Sequence, residues 1–356
     1  MPKVTFNNHR KEFFNDINSR VERYFTERNL KKTGNGRLYL KSGILIAAGL
    51  TTYIILLTIH MNPYMAGFLC LLFGFIQATI GFNVMHDANH GSFSEKKWVN
   101  HVFGLTANMM GVNAWMWKQK HNIIHHTYTN INGVDDDIGK MPLLRMSPTQ
   151  KRLRLHRYQY IYCIPLYAST SLAWTFITDF TKYFGQKIQF TKLRGMNTKE
   201  HFIFWLSKVL YVFFYIALPI MLWGFIPFLI GFSLMHLTLG LTLALVFQLA
   251  HVVEATHFVD ANNQDLQIQE EWAIHQVETT ADFATGNKLV SWLTGGLNFQ
   301  VEHHLFPKIS HVHYPVIHKF VLESCQKYSV RHNDYHSMAA ALRSHFRFMK
   351  RLGVRE

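Results

Sequence analysis

The chain has 356 residues, 49% of them apolar, 15% aromatic and only 16% charged, with 36 Lys and Arg against 22 Asp and Glu for a formal net charge of +14. So small a charged fraction is unusual for a water-soluble domain, and a mean hydropathy of +0.01 conceals long apolar blocks separated by basic, polar segments. Because the basic residues are dispersed between apolar blocks, the pI near 9.6 points to contact with anionic lipid headgroups and away from nucleic acid.

Residues 1–40 are polar and charged, so no cleavable signal peptide opens the chain and the first apolar block is expected to act as its own targeting signal. Within this segment Phe6, Phe13, Phe14, Ile17, Val21, Tyr24 and Phe25 recur at helical spacing, which predicts an amphipathic helix on the membrane or against the rest of the protein. No charge occurs from Ser42 to Ile59 or, after the break His60-Met61-Asn62-Pro63, up to Met85. Spans at residues 42–60 and 64–84 are predicted, each close to the ~20 residues that cross ~30 Å of hydrocarbon.

The stretch from Tyr160 to Thr178 is also uncharged, but it holds Pro165, several hydroxyls and Trp174. It is expected to be an interfacial helix at residues 160–178, because a fifth crossing would put histidine-rich segments on opposite faces. A second long uncharged block, Val209 to Val253, is divided by Gly224 to Pro227 and predicts spans at residues 203–223 and 228–250. The fold class expected is therefore an all-α integral membrane protein, with four transmembrane helices in two hairpins and a helical cap. Residues 41–320 form its membrane domain, and residues 321–356 a C-terminal helical segment.

Ten Lys and Arg lie before or at the start of the first span, fifteen between Met85 and Phe202, and ten after Glu254, while Lys208 stands at the start of the third span. The hairpin tips carry none, so the positive-inside rule places both termini and the central segment in the cytoplasm. Cys70, Cys163 and Cys325 are far apart and form no C-x-x-C pair, which argues against a disulfide framework or an iron-sulfur cluster.

Eight of the 22 histidines stand out: His86 and His90, His121, His125 and His126, His251, and His303 with His304. On an α-helix, residues four apart share a face, so His86 with His90, and His121 with His125, aim two imidazoles at one point. An adjacent residue is turned by about 100°, so His126 and one of His303 and His304 suit a second metal. Asp87, Glu302 and Asp135 to Asp137 are expected to accept the outer ring N–H of ligating imidazoles.

His251 ends the fourth span and is a candidate ligand. Gln248, one turn earlier, and Gln300 are candidates to hold a water or to complete the ligand set. His236 is expected to make a buried hydrogen bond, and His60, His101, His257, His275, His311 and His313 ordinary polar contacts. Imidazole ligation suits several metals. Eight histidines suit two, and a site beside lipid favours iron with O2, because attack on an unactivated C–H bond requires a redox metal.

The boxes H-x-x-x-H, H-x-x-x-H-H and Q-x-x-H-H, with W-x-x-x-H-N-x-x-H-H-T-Y-T-N at Trp117 to Asn130 and G-G-L-N-F-Q-V-E-H-H-L-F-P at Gly295 to Pro307, resemble the membrane fatty acid desaturase family. Gln300, where a histidine stands in other members, is similar to the front-end branch, which includes linoleoyl-CoA (delta-6) type enzymes and inserts a double bond toward the carboxyl end. The resemblance implies that the eight histidines hold a non-haem di-iron centre, that Gln300 sits where some relatives have another ligand, and that O2 is the co-substrate. An H-P-G-G haem-binding signature is missing, so electrons are expected from a separate donor such as ferredoxin or cytochrome b5.

The implied reaction is cis desaturation of a fatty acyl chain carried on coenzyme A, carrier protein or lipid. An apolar tunnel is expected to hold that chain, with Trp115, Trp117, Trp174 and Trp292 as candidate walls, and Lys151-Arg152-Leu153-Arg154 as a candidate contact for the headgroup or the donor. Two other readings stay open. A di-iron lipid hydroxylase uses the same metal site, and a polytopic metal transporter would instead place ligands near the bilayer midplane.

Overall fold

The computed structural model describes residues 4–7, 11–139, 142–189, 191–261 and 265–354. Its frame is two antiparallel helical hairpins. The first pairs α2 (Gly36–Thr58) with α3 (Pro63–His90), and the second pairs α8 (Thr198–Trp223) with α9 (Phe225–His251). Each is long and apolar enough to cross a bilayer. Large apolar side chains such as Ile54, Phe68, Val209 and Ile226 are more than half exposed, a surface suited to lipid tails.

Local chemistry sets the turns. Asn62 caps α3 by accepting from Met65 N (2.9 Å), with Pro63 at the first helical position. Gly224, at φ +82°, reverses the second hairpin in a single residue, a conformation that a side chain would strain. Since α3 and α9 both run away from the hairpin tips, their last residues, His90 and His251, emerge at the same end of the bundle.

Helix α1 (Glu12–Glu27) lies on the cap, where Phe13, Ile17, Val21 and Phe25 are buried with residues of α10 (Trp272–Thr279), α12 (Gln300–Leu305) and α13 (Tyr314–Tyr328). Phe6 departs from the expected helix. It ends the strand Val4–Phe6, which pairs in parallel with Leu266–Ile268, and its ring packs on His275. The strand and α1 are separate elements, so one helical periodicity runs across two structures.

The central segment contains α4 (Lys97–Gly104), α5 (Ala114–Lys118), α6 (Gln159–Ala168) and α7 (Asp179–Gly185). The expected interfacial helix is longer than the uncharged stretch, since a π-helical turn at Trp174–Thr178 carries it into α7. Its charged extension explains itself. Asp179 is fully buried and accepts from Lys208 Nζ (2.8 Å), while Lys208 also donates to the carbonyls of Gly111 and Thr175. Lys208 lies in the first half of α8, whose first residues are polar, and its charge is balanced by the segment docked there.

Close backbone approaches hold that segment in place. A Cβ on Gly240 of α9 would collide with the Ala168 carbonyl oxygen, and one on Gly353 of α14 (Met338–Val354) would collide with that of His156. Gly240→Val is expected to lower stability by about 1–3 kcal/mol through overpacking. Thermal unfolding of the detergent-solubilised protein checks this, and an unchanged midpoint would show that the contact is not tight.

Candidate metal centre

Helix α3 delivers the first histidines after a π-helical turn, Gly81–Met85, that precedes His86–His90. The second group follows α5 on a π-helical segment, Gln119–His125, in which His126 N donates to His121 O (3.1 Å). The expected pair is kept, since ring nitrogens of His121 and His125 lie within 4.8 Å of each other beside Asp137, and the local geometry adds a second partner. A π-helix brings residue i+5 over residue i, so His121 also meets His126, with Nε2 atoms 3.2 Å apart, while the His125 ring stacks on His121 with centroids 5.2 Å apart.

The histidines thus sort into two adjoining groups. Ring nitrogens of His86, His90, His121 and His303 lie within 4.8 Å of one another, and His121 Nε2 is 3.3 Å from His86 Nε2. His126 joins this group through His121. Ring nitrogens of His125, His251 and His304 form the other group, and Gln300 Nε2 donates to His251 Nε2 across 2.9 Å. The groups touch through the stacked rings of His126 and His304, whose centroids are 4.4 Å apart.

Nε2 of His90, His125, His303 and His304 is buried and meets no hydrogen-bond partner among the described residues. Leaving such atoms unpaired is costly, and convergent lone pairs without protons between them are what a metal ion satisfies. Burial, and then the neighbouring imidazoles, hold His121, His126, His303 and His304 well below the usual histidine range, so they stay neutral lone-pair donors. The donor set therefore fits two nitrogen-ligated metal ions.

Outer partners fix the rings. His125 Nδ1 donates to Asp135 (3.1 Å). Against the burial that would lower it, the Asp135 and Asp137 carboxylates raise the pKa of His125. His304 Nδ1 donates to Gln276 Oε1 (2.8 Å), which Thr129 also reaches, and His303 Nδ1 lies 3.1 Å from the Tyr314 hydroxyl. Asp135 thus plays the expected part, whereas Asp87 and Glu302 do not.

Asp87 is held by Ser310 and His311, and Glu302 by His318, because both carboxylates point away from the ring clusters. Thr129 lies inside a motif, but Gln276 and Tyr314 stand in segments of ordinary composition and gave no signal. Among the histidines expected to make ordinary contacts, His275 bonds the Thr129 carbonyl and His313 that of Thr33. His236 bonds the hydroxyls of Ser171 and Tyr211.

Behind α12, Asp282 Oδ1 accepts from Val301 N (2.9 Å), while Oδ2 accepts from His332 (3.1 Å) and lies 3.2 Å from His318. This network fixes the start of the helix that carries Gln300, His303 and His304. It is buried, with two carboxylates facing two imidazoles. Although burial opposes it, both carboxylates hold the His318 imidazole up to about 10, so it stays protonated.

A cavity of about 380 Å³ reaches His86, His121, Gln248 and Gln300 at its inner end. Its walls are apolar, with Phe82, Met85, Leu239 and Leu243, and Trp117 stacks on His121 at 4.3 Å. Trp117 and Trp174 line it as expected. Trp115 packs instead in a separate core with Met116 and Ile131, and Trp292 is 41% exposed beneath Lys41. A second cavity, of about 480 Å³, lies at the hairpin tips between Tyr53, Phe73, Tyr215 and Trp223 and touches no ring cluster.

The sequence profile of the family described as Fatty acid desaturase matches residues 62–336. The sn-1 linoleoyl-lipid 6-desaturase of Arthrospira platensis is 35% identical over 344 residues, covering 96% of this chain and 93% of that protein. That of Synechocystis sp. is 36% identical over 347 residues, covering 95% and 94%. The acyl-lipid (8-3)-desaturase of Physcomitrium patens is 33% identical over 350 residues, covering 97% of this chain and 72% of its own length. Four apolar spans, two adjoining sets of buried imidazoles at one end of the bundle and this similarity along nearly the whole length agree: the chain belongs to the fatty acid desaturase family of membrane oxidoreductases.

Proposed function

We propose that this chain is a front-end acyl-lipid desaturase that adds a cis double bond to a polyunsaturated acyl chain, with one iron held by His86, His90, His121, His126 and His303 and another by His125, His251 and His304. The observation that carries the reading is the convergence of buried imidazoles, several with ring nitrogens that meet no partner among the described residues, around His86 and His121, which themselves line an apolar cavity. The lipid-linked substrate and the front-end position rest on the names of the cyanobacterial relatives. When bound, two irons fed with O2 and electrons from a separate donor, such as ferredoxin or cytochrome b5, supply the oxidising power to break unactivated C–H bonds.

The protein's own residues bind and orient. Phe82, Met85, Leu239 and Leu243 exclude water and hold the chain beside the rings, where position within the cavity selects the carbons attacked. Gln248 lines the cavity, and its buried Oε1, which meets no hydrogen-bond partner among the described residues, is suited to hold a water. Gln300 is placed to offer its amide oxygen to the second ion after a turn of the amide that breaks its bond to His251. The excess of Lys and Arg away from the hairpin tips supports a cytoplasmic site.

Expression in a host without polyunsaturated lipids, fed linoleic acid, tests the activity. Mass-spectrometric location of double bonds is expected to show a new alkene between the existing ones and the carboxyl end. A hydroxylated chain without an alkene would assign a lipid hydroxylase, and an unchanged profile with metal-loaded protein would sink the desaturase reading.

A further inference from the structure

The cavity at the metal centre has one exposed side chain in its lining, Leu143, at 57%. Leu143 therefore marks the mouth. The loop that carries it is clamped from below. Arg145, buried, donates through Nη1 to Leu352 O (2.8 Å), through Nε to Gln150 O (2.7 Å) and through Nη2 to Pro148 O (2.7 Å). His156 bonds the Pro142 carbonyl, and the Tyr162 hydroxyl donates to that of Leu143. These contacts bind the mouth to the 3-10 turn Arg154–Tyr158, to α6 and to the end of α14.

The surface so assembled has two characters side by side. Leu155, Tyr158, Ile161 and Ile164 are 43–58% exposed and form an apolar collar suited to the acyl boundary of a bilayer. Next to it stand Arg154 and Arg157 on the turn and Arg347 and Lys350 on α14, all exposed, with Lys350 Nζ 5.5 Å above the ring of Tyr160. None of these four cations makes an ion pair among the described residues, unlike Lys120, Lys182 and Lys208 deeper in the protein. Exposed cations beside an apolar collar at a tunnel mouth match one ligand chemistry, a phosphate ester joined to a long acyl chain.

We propose that this patch is the headgroup site for an anionic glycerophospholipid whose acyl chain enters past Leu143. The site deepens the desaturase reading and rests on it for the fate of the bound chain. The apolar collar favours a substrate that remains in the bilayer over acyl-coenzyme A, whose phosphates lie in water.

The test uses the full-length, iron-loaded protein in nanodiscs containing equimolar dilinoleoyl-phosphatidylglycerol and dilinoleoyl-phosphatidylcholine. Two readouts are taken, alkene formation in each lipid and lipid retention by native mass spectrometry, with linoleoyl-CoA as a competitor. The wild type is expected to prefer phosphatidylglycerol in both. The triple variant Arg154→Gln, Arg157→Gln, Lys350→Gln is expected to lose that preference by about tenfold or more while still converting phosphatidylcholine.

A control, Lys96→Gln with Lys97→Gln, removes two exposed cations at the start of α4 and is expected to keep the preference. Equal conversion and retention of the two lipids by the wild type would overturn the site. So would equal loss in the control, which means general surface attraction, or displacement of the lipid by linoleoyl-CoA. Selective retention of phosphatidylglycerol without any alkene would instead overturn the desaturase reading and leave the headgroup site standing.

Discussion

His121→Ala is expected to reduce alkene formation by more than about 100-fold, beyond the range that loss of an outer partner costs, and to remove metal from one of the two groups. His121 Nε2 lies 3.3 Å from His86 Nε2 and 3.2 Å from His126 Nε2, so its loss opens the first group at its centre. The π-helical geometry adds a sharper expectation. His126→Ala should deplete the same metal as His121→Ala, whereas His125→Ala should resemble His251→Ala and His304→Ala, because those three rings share the other group. Metal content per chain, measured on single and paired variants, checks the grouping: a paired variant within one group retains about one ion, and a pair across the groups retains fewer. Two retained metals in His121→Ala would remove it from the ligand set.

Asp282→Ala is expected to cost about 3–5 kcal/mol, the usual result of stripping one partner from a buried ionic network. Its carboxylate accepts from Val301 N and from His332 and faces His318, so the variant loses the anchor of α12 and leaves buried imidazoles undercompensated. Thermal unfolding measures the loss, and an unchanged midpoint would show that solvent or another carboxylate takes over.

The same network sets a pH dependence. His318 has a folded pKa of about 10, above its ordinary 6.5, so its contribution is fully present below pH 6.5 and is lost as pH rises toward 10. Asp282, lowered by His318 and His332 against its burial, contributes above the ordinary carboxylate pKa of 3.8 and loses that contribution only in stronger acid. The wild type should therefore melt at a lower temperature at pH 9 than at pH 6.5, a difference that Asp282→Ala should shrink.

How much of this was legible beforehand depended on range. Uncharged runs of bilayer length foretold four spans, since the requirement is met within one segment. The helical stretch expected at residues 160–178 extends further along the chain than its uncharged run. Its charged end, Asp179, is stable there only because Lys208 arrives from a helix 29 residues away. The partner of Lys208 was illegible for the same reason, since a lone cation beside an apolar run gives no sign of the carboxylate that meets it.

The histidine boxes marked the imidazoles that converge, and the α-helical spacing that joins His121 with His125 keeps them in one cluster with Asp137, while the π-helical turn adds His126 to His121. Adjacent carboxylates were credited to their neighbours in the chain. Asp135 earned that place through His125, while Asp87 and Glu302 turned to His311 and His318. The partners that do hold His303 and His304, Tyr314 and Gln276, come from segments with no pattern of their own.

By itself, the sequence determined the membrane frame, the eight imidazoles and the family, because hydrophobic length and ligand spacing are properties of contiguous residues. Only the tertiary structure decided how the imidazoles cluster, which side chains orient them and where the cavity opens. Those outcomes depend on distances between segments as far apart as Thr129 and His304, 175 residues, which come together only when the helices pack.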